Sequence, residues 1–155
     1  MLQLQKEGKA KAVGVSNYQI EHLTEIESAG LTLPAVNQVM TNPQHQEKEL
    51  QAWCSARGIK LQAYHSLGGY NGAGSPMKLP TIVAIAKAHN VSTAQVILNW
   101  QISLNISVNP GFTGPGAPGY EPPATVVAYM KENLGSTAFE LTPAEVQQIS
   151  AIPAA

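Results

Sequence analysis

No aspartate occurs among the 155 residues; all ten carboxylate side chains are glutamates. That removes Ser-His-Asp nucleophilic chemistry and Asp-built metal loops. Arginine is almost as scarce: Arg57 stands alone beside scattered lysines, and the formal net charge is -1. With no basic stripe to meet a phosphate backbone, nucleic acid is not expected as a partner. The single cysteine, Cys54, excludes an internal disulfide and any multi-cysteine metal site. His22, His45, His65 and His89 show no ligand spacing, so no metal is expected either. No run approaches the ~18 apolar residues of a membrane span. The opening MLQLQKEGKAK carries charge where a signal peptide needs an apolar stretch. The expectation is a cytoplasmic chain folding as one domain over residues 1–155.

What is present alternates. Residues 12–16 (AVGVS), 35–39 (AVNQV), 59–64 (IKLQAY) and 106–110 are short apolar runs that read as strands. Between them lie segments of helical spacing. Ile20, Leu23 and Ile26 recur on one face, with Gly30 as the stop. Residues 47–57 carry Leu50, Trp53 and Cys54 on one stripe, which makes Cys54 and Trp53 packing residues, as Trp100 is further on. Further helices are predicted over 81–88, 92–103 and 125–134, and residues 65–80 (HSLGGYNGAGSPMKLP) read as loop. Ser92 with Gln95, and Thr142 with Glu145, have the spacing of capping boxes, and Pro143 suits a first helical position. The order β-α-β-α-β-αα-β-αα predicts an α/β protein with parallel strands, either a small open sheet or half of a barrel.

Alternation along these strands sorts their side chains by face. Val13, Val15, Val39, Leu61 and Ala63 share a face directed at the helices. Gly14, Ser16, Val36, Gln38, Gln62 and Tyr64 share the other, so polar groups gather at the carboxyl ends of consecutive strands. Ligands bind there in parallel sheets and barrels.

Residues 111–124 form a Gly/Pro-rich insertion in which Gly114, Gly116 and Gly119 spell G-x-G-x-x-G. Such a loop cradles a pyrophosphate with consecutive backbone N–H groups. Pro115 and Pro118 delete donors inside the pattern, and no acidic residue follows at the end of a second strand. The motif is incidental.

Three segments, GKAKAVGVSNYQIEHLTE, PAVNQVMTNPQHQEKELQAWCSARGIKLQAYHSLGG and KENLGSTAFELTPAEV, together resemble the aldo-keto reductases. GVSN, VNQV, QAY-x-x-LG and KENL occur in the family's order. The resemblance implies a (β/α)8 TIM barrel that interconverts carbonyls and alcohols with NADP(H), of which this chain matches strands five to eight. By position, Ser16, Asn17 and Gln38 correspond to the side chains that grip the nicotinamide carboxamide, and Tyr64 to the aromatic stacked on the ring. Leu67 and Gly68 fall where a loop folds over the pyrophosphate, while Glu132 and Asn133 match residues that meet the adenine. His65 replaces a serine that touches phosphate. The cations that bind the 2′-phosphate of NADP are replaced by Gly111 and Tyr129, leaving NADP and NAD as alternatives. The family's proton-donating tyrosine, lysine, aspartate and histidine lie on its first four strands. No catalytic residue is therefore expected here: the chain alone binds part of a cofactor at most and does not turn over carbonyl substrate.

Blander roles compete with each residue. Ser16 and Asn17 could cap the following helix, Gln38 could be a paired polar group within the sheet, and Tyr64 could be core. At the level of the whole chain, the nicotinamide-binding part of an oxidoreductase competes with a non-catalytic nucleotide sensor or accessory subunit, and with a degenerate fragment. Four barrel strands leave two open edges, so a homodimer or a partner chain completing the barrel is expected.

Overall fold

A computed structural model describes residues 1–68, 75–111 and 122–154. Its helices are α1 (Leu2–Lys6), α2 (Ile20–Ser28), α3 (Lys48–Ser55), α4 (Pro80–His89), α5 (Thr93–Ser103), α6 (Pro123–Leu134) and α7 (Pro143–Ser150). Strands β1 (Gly14–Ser16), β2 (Val36–Met40), β3 (Lys60–Tyr64) and β4 (Ser107–Val108) alternate with them, and Pro76–Lys78 and Gly135–Thr137 are single 3-10 turns.

Local chemistry sets these boundaries. Ser92 Oγ accepts the Gln95 amide at 3.2 Å while Gln95 Oε1 accepts the Ser92 amide at 2.9 Å, closing the box that starts α5. Thr142 and Glu145 do the same for α7, behind Pro143 at the first turn. Gly30 and Gly58 end α2 and α3 with φ near +70° (67° and 71°), where a side chain would be strained.

The strands form one parallel sheet in the order β1-β2-β3-β4. Ser16 lies beside Gln38 and Gln38 beside Gln62, while Met40 pairs with Tyr64. The face directed at the helices buries Val39, Leu61 and Ala63 with Leu23, Leu50, Cys54, Ile59 and Ile106. A second cluster, Ile82, Ile85, Ala86, Val96, Ile97, Trp100 and Ile149, lies where α4, α5 and α7 pack together. Leu104 touches both clusters.

Several expectations shift. The loop reading of residues 65–80 gives way to the 3-10 turn at Pro76–Lys78 and to Pro80 as the first residue of α4. Pro123 and Ala124, assigned to the insertion, open α6, because a proline at the first turn lacks only a hydrogen the helix cannot use. Helix α1 lies in a stretch assigned no structure. Gly114, Gly116 and Gly119 fall outside the described residues.

Candidate functional site

The carboxyl ends of β1, β2 and β3 bring four of the singled-out side chains together. Ser16, the last residue of β1, donates its hydroxyl to the Gln38 carbonyl at 3.0 Å. Asn17 follows with φ 57°, a left-handed conformation that asparagine tolerates, and its backbone N–H donates to the same carbonyl at 2.9 Å. The Tyr64 hydroxyl reaches from the end of β3 across β2 and donates to Asn17 Oδ1 at 3.0 Å. Gln38 donates Nε2 to Gln62 Oε1 at 2.6 Å, and its own Oε1 accepts nothing from the described residues.

Neither Ser16 nor Asn17 caps a helix. Helix α2 begins after Gln19, whose backbone N–H donates to His22 Nδ1 at 3.0 Å. Residues 17–19 therefore form a turn of their own, and a buried amide pins it. Asn37, fully enclosed on the helix side of β2, donates Nδ2 to the Tyr18 carbonyl at 2.8 Å and accepts the Tyr18 N–H at 3.3 Å. Without that clamp a wholly buried carboxamide would be left unpaired.

A concavity adjoins this group at Tyr64. His65, Leu67 and Gly68 line it with Tyr64, Ser66, Asn109, Pro110 and Gly111, and its volume is about 390 Å³. His65 has φ 49°, and its ring meets Tyr64 edge-on at 5.3 Å. Gly68, at φ 72°, packs so closely on the Pro76 ring that no Cβ could be placed there. Beneath the loops, the buried Gln101 of α5 donates Nε2 to the carbonyls of Thr41 (2.8 Å) and Ser66 (3.4 Å). It thereby ties the segments after β2 and β3 to one helix.

Glu132 and Asn133 are not brought to this group. Both lie half-buried on α6, where the Glu132 carbonyl accepts Gln95 Nε2 at 3.0 Å. Gly111 is exposed at the cleft's rim, and Tyr129 is 43% exposed on α6. Sequence reasoning had passed over Asn37 and Gln101. A carboxamide at an apolar parity position of a strand, and another within the apolar run VILNWQI, were the signals available.

The family model described as the aldo/keto reductase family matches residues 1–154. This chain belongs to the aldo/keto reductase family. It is 34% identical over 149 residues to the oxidoreductase YtbE of Bacillus subtilis, covering 96% of this chain and 48% of that protein. It is 35% identical over 146 residues to the 9,11-endoperoxide prostaglandin H2 reductase of Trypanosoma cruzi, covering 94% and 47%. Among solved structures, an aldo/keto reductase from Brucella melitensis superposes with a TM-score of 0.79 at 30% identity, over 97% of this chain and 52% of that one. The reductase MGS-M4 from a deep-sea metagenome superposes with a TM-score of 0.84 at 28% identity, over 98% and 51%. The chain thus spans about half the length of the relatives it matches. Its four parallel strands and their helices correspond to half of a (β/α) barrel. No helix among the described residues is long and apolar enough to cross a membrane.

Proposed function

We propose that these strand ends hold the nicotinamide of NAD(H) or NADP(H) and that the chain serves carbonyl–alcohol interconversion as the cofactor-binding half of an aldo/keto reductase barrel. One arrangement carries the reading: the Ser16 hydroxyl, the Asn17 and Gln38 amides and the Tyr64 phenol meet at the carboxyl ends of three adjacent strands. A nicotinamide presents a flat ring and one carboxamide, and an aromatic face beside hydroxyl and amide groups is the chemistry that fixes which side of it is offered. Gln38 Oε1, unpaired among the described residues, suits a carboxamide N–H. When bound, the nicotinamide supplies or accepts the hydride.

The rest of the cofactor follows the family resemblance. His65, Leu67 and Gly68 would line the pyrophosphate, and Glu132 and Asn133 the adenine end. The positions that bind a 2′-phosphate fit it poorly: Gly111 and Tyr129 offer no cation. NADH is expected to bind at least as well as NADPH. The proton donor belongs on this reading to the other half of the barrel, since the family's catalytic set includes an aspartate and these residues contain none. The same absence favours a second reading, a nucleotide sensor that binds without chemistry.

Calorimetric titration with NADH and NADPH tests the proposal. Binding of NADH that weakens roughly fivefold in Gln38→Ala, as loss of one hydrogen bond worth about 1 kcal/mol predicts, supports it. Failure of both cofactors to bind removes it. Binding with no carbonyl reduction, even after a complementary half is added, selects the sensor.

A further inference from the structure

We propose that Gln62 is a positioning residue: it turns the Gln38 carboxamide so that the site takes a pyridine ring whose 3-substituent carries an N–H and disfavours the same ring without one. This role rests on the nicotinamide reading and deepens it by naming what sets the site's selectivity.

The strand register places Gln62 for the task. Ser16 lies beside Gln38, Gln38 beside Gln62 and Gln62 beside Ser107, so one polar residue of each strand forms a single row across the sheet. Alternation puts Tyr64 on the same face as Gln62, at the end of the same strand. The two glutamines stand on the inner strands β2 and β3, and both are half-buried.

One bond decides what this row presents. Gln38 Nε2 donates to Gln62 Oε1 at 2.6 Å. A carboxamide is a donor at one end and an acceptor at the other. With its nitrogen held by Gln62, Gln38 is left with its oxygen to offer, and that oxygen accepts nothing from the described residues. Turned end for end, Gln38 would set its oxygen against Gln62 Oε1, two acceptors in contact. No other described residue holds the Gln38 side chain. The Ser16 hydroxyl and the Asn17 N–H are bonded to the Gln38 backbone carbonyl, and the Tyr64 hydroxyl to Asn17 Oδ1.

The two orientations differ in what they recognise. An outward oxygen bonds a carboxamide N–H, whereas a methyl ketone in the same place leaves that oxygen facing a methyl group. A site arranged for a hydrogen bond rejects the analogue lacking it, because its own polar group is left unpaired. A glutamine free to turn would offer its nitrogen to the ketone carbonyl instead, and the preference would vanish. Holding the side chain in advance also spares the ligand the entropy of ordering it.

Calorimetric titration of the chain with NAD⁺ and with its 3-acetylpyridine analogue, which replaces only the amide NH₂ by methyl, tests the role. The wild type should bind NAD⁺ about fivefold more tightly, the worth of one neutral hydrogen bond. In Gln62→Met, which keeps the length and loses the acceptor, the ratio should fall toward unity with the far-ultraviolet circular dichroism retained. Gln62→Glu, an acceptor that cannot donate while ionised, should keep the ratio. A merely structural Gln62 would weaken both dinucleotides alike in Gln62→Met, and that unchanged ratio overturns the inference. A wild type that binds both equally also overturns it. Should Gln62→Met unfold, Gln62→Glu decides: a retained ratio supports the role and a ratio near unity ends it. If neither dinucleotide binds the wild type, the nicotinamide reading falls and this role with it; NAD⁺ binding with a ratio indifferent to residue 62 removes the role alone.

Discussion

The Asn37 carboxamide is wholly buried, yet both its ends are taken by the backbone of Tyr18, and this fixes the turn that presents Ser16 and Asn17. Replacing it with alanine removes both hydrogen bonds to the Tyr18 backbone, each worth about 1 kcal/mol. Asn37→Asp should cost more, since it removes the donor and encloses a charge. Urea denaturation checks both, and Asn37→Ala should also weaken NADH binding although residue 37 stands on the opposite face of the sheet. Glu145 gives the residue scale its pH dependence. Burial pushes its carboxyl upward, but the Thr142 amide and hydroxyl and the His89 imidazole, 2.9 Å away, outweigh this and hold it below its ordinary value of 4.5. A lowered folded-state value stabilises the fold above 4.5, and that share is lost as pH falls through the folded value. The thermal midpoint should therefore drop on acidification below 4.5, and Glu145→Gln should flatten part of that slope. Cys54 moves the other way: burial raises its thiol, against the opposing charge of Arg57, so it should resist thiol reagents until the chain unfolds.

At the scale of elements, legibility followed from how local the determinant was. The starts of α5 and α7 could be read because Ser92–Gln95 and Thr142–Glu145 close their boxes within one turn. Thr142→Ala should cost about 1 kcal/mol, read as a shift in denaturation midpoint at constant slope. Strand faces were equally legible, since parity alone placed Val39, Leu61 and Ala63 inward and Gln38, Gln62 and Tyr64 toward the other face. The turn after β1 was not. Ser16 and Asn17 have the chemistry of caps, and only the distant Asn37 and Gln38 decide that they face a strand end and that Gln19 begins the helix. Gln101 was hidden for the same reason: its partners, Thr41 and Ser66, are 60 and 35 residues away in the chain. The 3-10 turn at Pro76–Lys78 likewise depends on Gly68, which accepts the Pro76 ring only for want of a side chain.

Across the whole molecule, two apolar clusters meet at Leu104, and polar bonds reinforce the joint. Gln51 of α3 donates to the Leu104 carbonyl at 2.6 Å, Lys48 to the Ser150 carbonyl at 2.6 Å, and Trp100 Nε1 to Ser150 Oγ at 2.9 Å. The last helix is thus fastened both to the helical layer and to α3 beneath the sheet. Such cross-ties make separate unfolding of the clusters costly, because opening either one exposes the groups that bridge them. Each cluster holds one tryptophan: Trp100 is 1% exposed in the second, and Trp53 packs on the first under the Arg57 guanidinium, 3.8 Å from its ring. In Trp53→Phe the remaining fluorescence reports the helical cluster; in Trp100→Phe it reports the sheet cluster. Within each variant the fluorescence and circular-dichroism transitions in urea should coincide. Non-coincidence in Trp100→Phe alone would mean that the Ser150 bond is itself the coupling. Non-coincidence in both would mean that the sheet and helical layers are independent units and that the polar cross-ties do not couple them.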